Sequence, residues 1–256
     1  MSYYSHVSLR AILKGNDQDQ KGSTMDPTEE PSADEQPDKQ QDEAYEALRH
    51  GIIEFEFLPG QRLSAKEVRE GLGLGRTPVR EAIVRLQQEG LVYTKAKSGS
   101  YVSLVDMHEA ECAHFLRCHV ERAVVREAAA QATPESLALV ADEIDRQRQA
   151  VAAHSQKDFF DADNAMHEAI YQVAGRSLEW AWLERASVDL NRFRWLHVKA
   201  RGVGWQSILD EHEALFKALS DHDTEEAAYL IDHHLHVMLD EKEEVLSAFP
   251  DYFRNC

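Results

Sequence analysis

Residues 75–92 read GRTPVREAIVRLQQEGLV, and this stretch decides the fold of the N-terminal domain. Thr77-Pro78 opens a helix, because proline is at home in a first helical turn, where its missing N–H is not needed. Val79, Ala82, Ile83 and Leu86 fall at i, i+3, i+4 and i+7 and give that helix one buried face. Arg80 lies ~100° around the axis from Val79, toward solvent or a ligand. Arg76, four residues earlier, points the same way.

Upstream, Gly71-Leu72-Gly73-Leu74-Gly75 makes a tight turn. Before it, Ser64 and Glu67 have the spacing of a capping box and predict a helix of about two turns. Leu48, Ile52 and Ile53 predict a short amphipathic helix before that, and Phe57-Leu58-Pro59-Gly60 turns the chain between the two. A short helix, a glycine turn and a new helix are the helix-turn-helix layout. Downstream of Gly90, Leu91–Thr94 and Tyr101–Val105 read as strands. Lys95-Ala96-Lys97-Ser98-Gly99-Ser100 between them is a basic wing able to lie on a phosphate backbone. Two arginines at a helix N-terminus suit guanine edges or phosphates, and the positive end of the helix adds attraction.

The formal net charge of −18 argues against a nucleic-acid binder until it is divided along the chain. Residues 1–40 carry net −4, 41–105 net 0 and 106–256 net −14, whereas 66–97 carry net +3. Basic charge on one face of an acidic protein orients it on DNA. Residues 15–40 hold almost nothing apolar, and residues 1–40 are expected to form a disordered acidic and polar tail; Met25 inside it is an alternative start. Residues 41–105 are expected to form a winged helix-turn-helix domain. Residues 106–250 show only helical periodicity and predict an all-α bundle of six to seven helices, so the fold class is mainly α. Six helices are expected near 107–131, 134–153, 157–174, 177–200, 205–220 and 224–247. No apolar run spans a bilayer, no signal segment opens the chain, and Cys112, Cys118 and Cys256 form no CxxC pair, which fits a reducing cytoplasm.

In the second domain Asp163 and His167 are four residues apart on a predicted helix, ~40° around the axis and one turn along it. A carboxylate and an imidazole so placed suit one divalent ion. His212 and His234 border the apolar faces of two later helices. In a chain with 13 histidines a chance Asp/His pair at this spacing is common, so spacing alone leaves the metal site open.

PGQRL at 59–63, GRTPVREAIVRLQQEGLV at 75–92 and the Gly99 wing resemble the winged helix of GntR-family transcription regulators. That resemblance implies that Arg76 and Arg80 read operator DNA. It places Lys66 where FadR-like members often carry a DNA-contacting arginine, and gives Thr77, Lys97 and Gly99 backbone contacts. Gly75 departs from the pattern, which usually has Ser or Thr there. The segments DNAMHEAI at 163–170, DEHEAL at 210–215 and His234-Leu235 look like the FCD effector domain of the FadR subfamily. The resemblance implies a Zn²⁺, Ni²⁺ or similar ion on Asp163, His167, His212 and His234, and a small carboxylate effector paired with Arg117. Arg117 could otherwise form a salt bridge to a neighbouring Glu. Asn191 and Arg194 are further effector-binding candidates, with a surface role as the alternative. The family also implies a homodimer on a palindromic operator, no membrane and no enzyme activity. A metal-dependent hydrolase using the same Asp/His set is the rival reading; neither HExxH nor a Glu base at motif spacing supports it.

Overall fold

The computed structural model describes residues 35–201, 205–240 and 242–256. Contacts divide the chain between Ser103 and Leu104 into two compact units.

In the first unit α1 runs over Glu35–Ile53, β1 over Arg62–Leu63, α2 over Ala65–Leu72 and α3 over Arg76–Gln88. The hairpin strands β2 (Val92–Lys95) and β3 (Gly99–Val102) follow. The start of α1 corrects one expectation: residues 35–40 are helical rather than part of the tail. Glu, Gln and Lys there propagate a helix already anchored by buried Ala44, Tyr45 and Leu48, and acidic residues suit a helix N-terminus. The rest of the expected tail, with Met25, lies outside the described residues.

Val79, Ala82, Ile83 and Leu86 are buried on α3, as their spacing predicts, and Leu48 and Ile52 of α1 and Val68 of α2, the helices that α3 packs on, are buried too. Each such large side chain contributes about 1.5–3 kcal/mol by leaving water. Tyr45 of α1 donates to Glu89 at 2.7 Å, and the Arg85 guanidinium sits 3.5 Å from the Tyr45 ring centre, fixing α1 to the end of α3. Gly73 ends α2 at φ 69°, a left-handed cap conformation that glycine adopts without strain. The sheet has the order β1-β3-β2, antiparallel throughout, with Arg62 opposite Tyr101 and Val92 opposite Val102. Strand β1 has no counterpart in the sequence reading, since two residues carry no alternation signal.

In the second unit β4 (Val105–Asp106) leads into α4 (Met107–Gln131), α5 (Pro134–Ala153), α6 (Gln156–Val173), α7 (Ser177–Ala186) and α8 (Val188–Arg201). Then come α9 (Trp205–Ser220), α10 (Thr224–Asp240), α11 (Lys242–Ala248) and the terminal strand β5 (Phe253–Arg254). The span 177–200, expected as one helix, breaks at Ser187, whose backbone carbonyl accepts from Asn191. Thr133 and Ser136 cap α5 reciprocally, and Asp223 accepts from the Glu226 amide at the start of α10. Strand β5 pairs in parallel with β4, and Asp106, which caps α4, accepts from Asn255 at 2.8 Å. The core joins α4, α5, α6, α9 and α10 through residues such as Val125, Ile144, Met166, Ile170, Leu215 and Ile231. No helix among the described residues is long and apolar enough to cross a membrane.

Candidate DNA-reading face and candidate metal centre

Arg76, Thr77 and Arg80 are all exposed on the first turns of α3. The residue before them, Gly75, takes the N-cap position and offers no side-chain hydrogen bond. The first amides of α3 therefore have no capping acceptor, which suits a phosphate oxygen. Lys66 stands exposed on α2. Arg80 pairs loosely with Glu81 at 3.6 Å and Lys66 with Glu70 at 3.8 Å; with three-quarters of each basic side chain in water, such pairs are easily exchanged for phosphate. At the hairpin tip Lys97 is exposed with φ 62° and Gly99 has φ 125°. The positive φ of Gly99 favours glycine, while a Cβ there, 3.1 Å from the exposed Arg62 guanidinium, would ask that side chain to shift only slightly. Lys95 is held over the Tyr101 ring, 5.0 Å from its centre.

The second cluster is buried at three of its four residues and half-buried at His234. Asp163 and His167 on α6, His212 on α9 and His234 on α10 offer ligand atoms that all lie within 4.8 Å of one another. Each imidazole is held from behind. His167 donates through Nδ1 to Glu121 at 2.9 Å, His212 to the Gln147 side-chain oxygen at 2.7 Å and His234 to Glu211 at 2.8 Å. Those acceptors place the proton on Nδ1 and leave each Nε2 with a lone pair aimed inward. The Nε2 atoms of His212 and His234 lie 3.3 Å apart, and His212 Nε2 is 3.6 Å from Asp163 Oδ1. His167 Nε2 is buried without a hydrogen-bond partner. Lone pairs facing one another at this distance repel unless a cation sits between them, so the donor set fits a divalent ion.

The charges around the cluster reinforce this. Burial opposes the Asp163 charge, but Arg194 and the histidines hold its carboxyl well below the usual range. Glu121 likewise stays charged against burial because of Arg117 and His167. Burial lowers the pKa of His167, and burial with His234 nearby lowers that of His212 well below the ordinary value, which keeps both neutral and available as ligands.

Arg117 is fully buried on α4. Its Nε donates to Glu121 at 2.6 Å, while one terminal nitrogen has no partner. The alternative salt bridge and an open donor thus coexist in one side chain. Asn191 and Arg194 on α8 are buried too, so their surface alternative does not hold. Arg194 donates to Asp163, to Asn164 at 2.7 Å and to Asn191 at 2.9 Å. Burial, helped by Arg117, pushes its pKa down to about 10.

The sequence reading missed Glu121, Gln147 and Glu211. Glu121 lies four residues after Arg117 and Glu211 directly precedes His212, so both had a spacing clue. Gln147 sits among polar residues of α5 with nothing to mark it as fully buried. Arg176 is exposed and joins Glu127 of α4 to Glu179 of α7.

Residues 40–102 match the sequence profile of bacterial regulatory proteins of the gntR family, and residues 113–237 match that of the FCD domain. This chain belongs to the GntR family. A regulator from an unstable DNA locus of Streptomyces ambofaciens is 31% identical over 82% of this chain and 87% of its own. The transcriptional repressor RspR of Escherichia coli is 29% identical over 82% of this chain and 91% of its own. The solved structure of E. coli McbR/YncC shares the fold at TM-score 0.70 and 20% identity, over 82% of this chain and 98% of its own. This GntR protein is therefore a DNA-binding transcription regulator carrying a small-molecule-binding FCD domain, and the hydrolase alternative finds no support among its relatives.

Proposed function

We propose that this GntR protein is a homodimeric cytoplasmic repressor whose grip on a palindromic operator is controlled by a small organic acid. In this reading residues 41–105 bind DNA and residues 106–250 bind the effector. Arg76 and Arg80 contact base edges, while Lys66, Thr77, Lys97 and the Gly99 turn hold the phosphate backbone. Two copies related by a two-fold axis would meet two half-sites.

Asp163, His167, His212 and His234 hold a divalent ion, with zinc or nickel compatible with this nitrogen-and-oxygen set. When bound, the ion supplies a Lewis-acid attachment point for a carboxylate. Glu121, Gln147 and Glu211 orient the three imidazoles, and Arg194 positions the Asp163 carboxylate with help from Asn191. Arg117 offers its unpartnered nitrogen to the acid. The observation that carries this reading is the convergence of three imidazoles, each held from behind, and one carboxylate, with ligand atoms all within 4.8 Å of one another.

The test is binding to DNA upstream of the protein's own gene. Affinity at least about a thousandfold above that for unrelated DNA is expected of a specific regulator. Weak, salt-sensitive binding without preference would overturn the proposal.

A further inference from the structure

Arg62 on β1 is exposed, while its neighbour Leu63 turns into the core. The pairing register puts Arg62, Tyr101 and Tyr93 in one row across the outward face of the sheet, and Gly99 and Lys95 in the next outward row toward the hairpin tip. The Arg62 side chain runs along the sheet between those rows. Its Nε and one terminal nitrogen lie 3.1 and 3.5 Å from the position that a Cβ on Gly99 would take. The guanidinium is thus carried about 6–7 Å toward the tip, the length of two strand residues. The strands it lies along are braced: Tyr93 stacks on Tyr101 with ring centres 5.7 Å apart, and the Tyr101 hydroxyl shares a hydrogen bond with Ser98 Oγ at 2.5 Å. Charge is unbalanced on this face. Residues 57–66 and 91–103 contain no Asp or Glu. Among the described residues Arg62, Lys95 and Lys97 form no ion pair, and the Arg62 guanidinium makes no hydrogen bond. Arginines elsewhere on the protein do pair: Arg85 with Asp42, Arg126 with Glu225, Arg148 with Glu213 and Arg176 with Glu127. Three cations without counter-charges, in a chain of net charge −18, are a place for a polyanion.

We propose that Arg62 is a further DNA-contacting residue, whose guanidinium binds a phosphate of the operator backbone beside the wing. This rests on the operator-binding reading above and extends it to a strand outside both the helix-turn-helix and the wing loop. The planar fork of an arginine matches two oxygens of one phosphate. A side chain already laid along the sheet loses less freedom on binding than one projecting freely into water. A phosphate contact carries no base information, so Arg62 sets the strength and salt sensitivity of binding and leaves sequence choice to Arg76 and Arg80.

The experiment compares full-length wild type with Arg62→Ala and Arg62→Gln on a duplex from upstream of the protein's own gene, at several salt concentrations. A second set of duplexes carries an uncharged methylphosphonate in place of one phosphate at a time. Both variants should melt at the wild-type temperature, because the side chain is exposed. Both should bind about tenfold more weakly, and by the same factor on every operator sequence tried. The slope of log affinity against log salt should become shallower by about 0.9 for each copy bound. One methylphosphonate position per half-site should weaken wild type about as much as the substitution does, and should leave the variants unchanged. That coupling separates a direct contact from a general loss of positive charge. Equal affinity and salt slope in all three proteins would overturn the inference, and so would methylphosphonates that weaken wild type and variants alike at every position. No preference of wild type for the upstream duplex over unrelated DNA would count against the operator-binding reading and this inference together.

Discussion

The two candidate sites are built on opposite principles. On α3 the side chains that would touch DNA stand in water, and their ion pairs to Glu81 and Glu70 are loose. In the FCD domain three of the four candidate ligand residues are buried, every imidazole has a partner behind it, and each buried carboxylate is paired with an arginine. A surface that meets a polyanion needs charge and reach more than fixed geometry. A cation site needs fixed geometry, because misplaced ligands leave their desolvation uncompensated. The first should therefore tolerate change gradually, and the second should fail sharply.

The sharpest break should come from His212→Ala. Bound metal should fall from stoichiometric to near none by elemental analysis, with acid-free operator affinity retained; full metal content in the variant would remove His212 from the site. Glu121→Gln probes the partner behind His167. Metal affinity measured against a competing chelator should drop about 10–100-fold, the usual effect of losing an outer partner. An unchanged value would mean that the ring is held by packing alone. On the other site, Arg80→Ala should weaken operator binding by about tenfold or more, as for a lost bidentate base contact, and flatten discrimination at one base position while metal content stays the same. A uniform loss across all sequences would reassign Arg80 to phosphate.

These outcomes also bear on what the sequence could disclose. The reading head was legible because its information is local: a proline-started helix, a glycine turn and an apolar face lie within the stretch 71–92. The four candidate ligands were visible through one i, i+4 pair and two helix faces. Their supports were not, since Gln147 reaches His212 across a sequence separation of 65 residues. The break at Ser187 escaped for a related reason: no glycine or proline marks it, and tertiary contacts decide where α7 ends. The early start of α1 shows the converse, a polar stretch drawn into helix by the anchored turns that follow it.

The smallest effect expected concerns Gly75, where α3 lacks a capping side chain. A Cβ there would make only ordinary contact, 3.5 Å from Pro78. Gly75→Ser should raise stability by a few tenths of a kcal/mol in denaturant titration and add a hydroxyl near the phosphate position. A loss of stability would show that the glycine backbone itself is needed.

The central claim is that the buried site speaks to the exposed one. Fluorescence anisotropy with operator DNA, in the four combinations of metal-loaded or metal-stripped protein with or without a small organic acid that shifts its melting temperature, tests it most directly. The account predicts that the acid changes operator affinity by about 5–150-fold when metal is present, the range of ordinary coupling between two sites, and has no effect when it is stripped. The same operator affinity in all four states would contradict it.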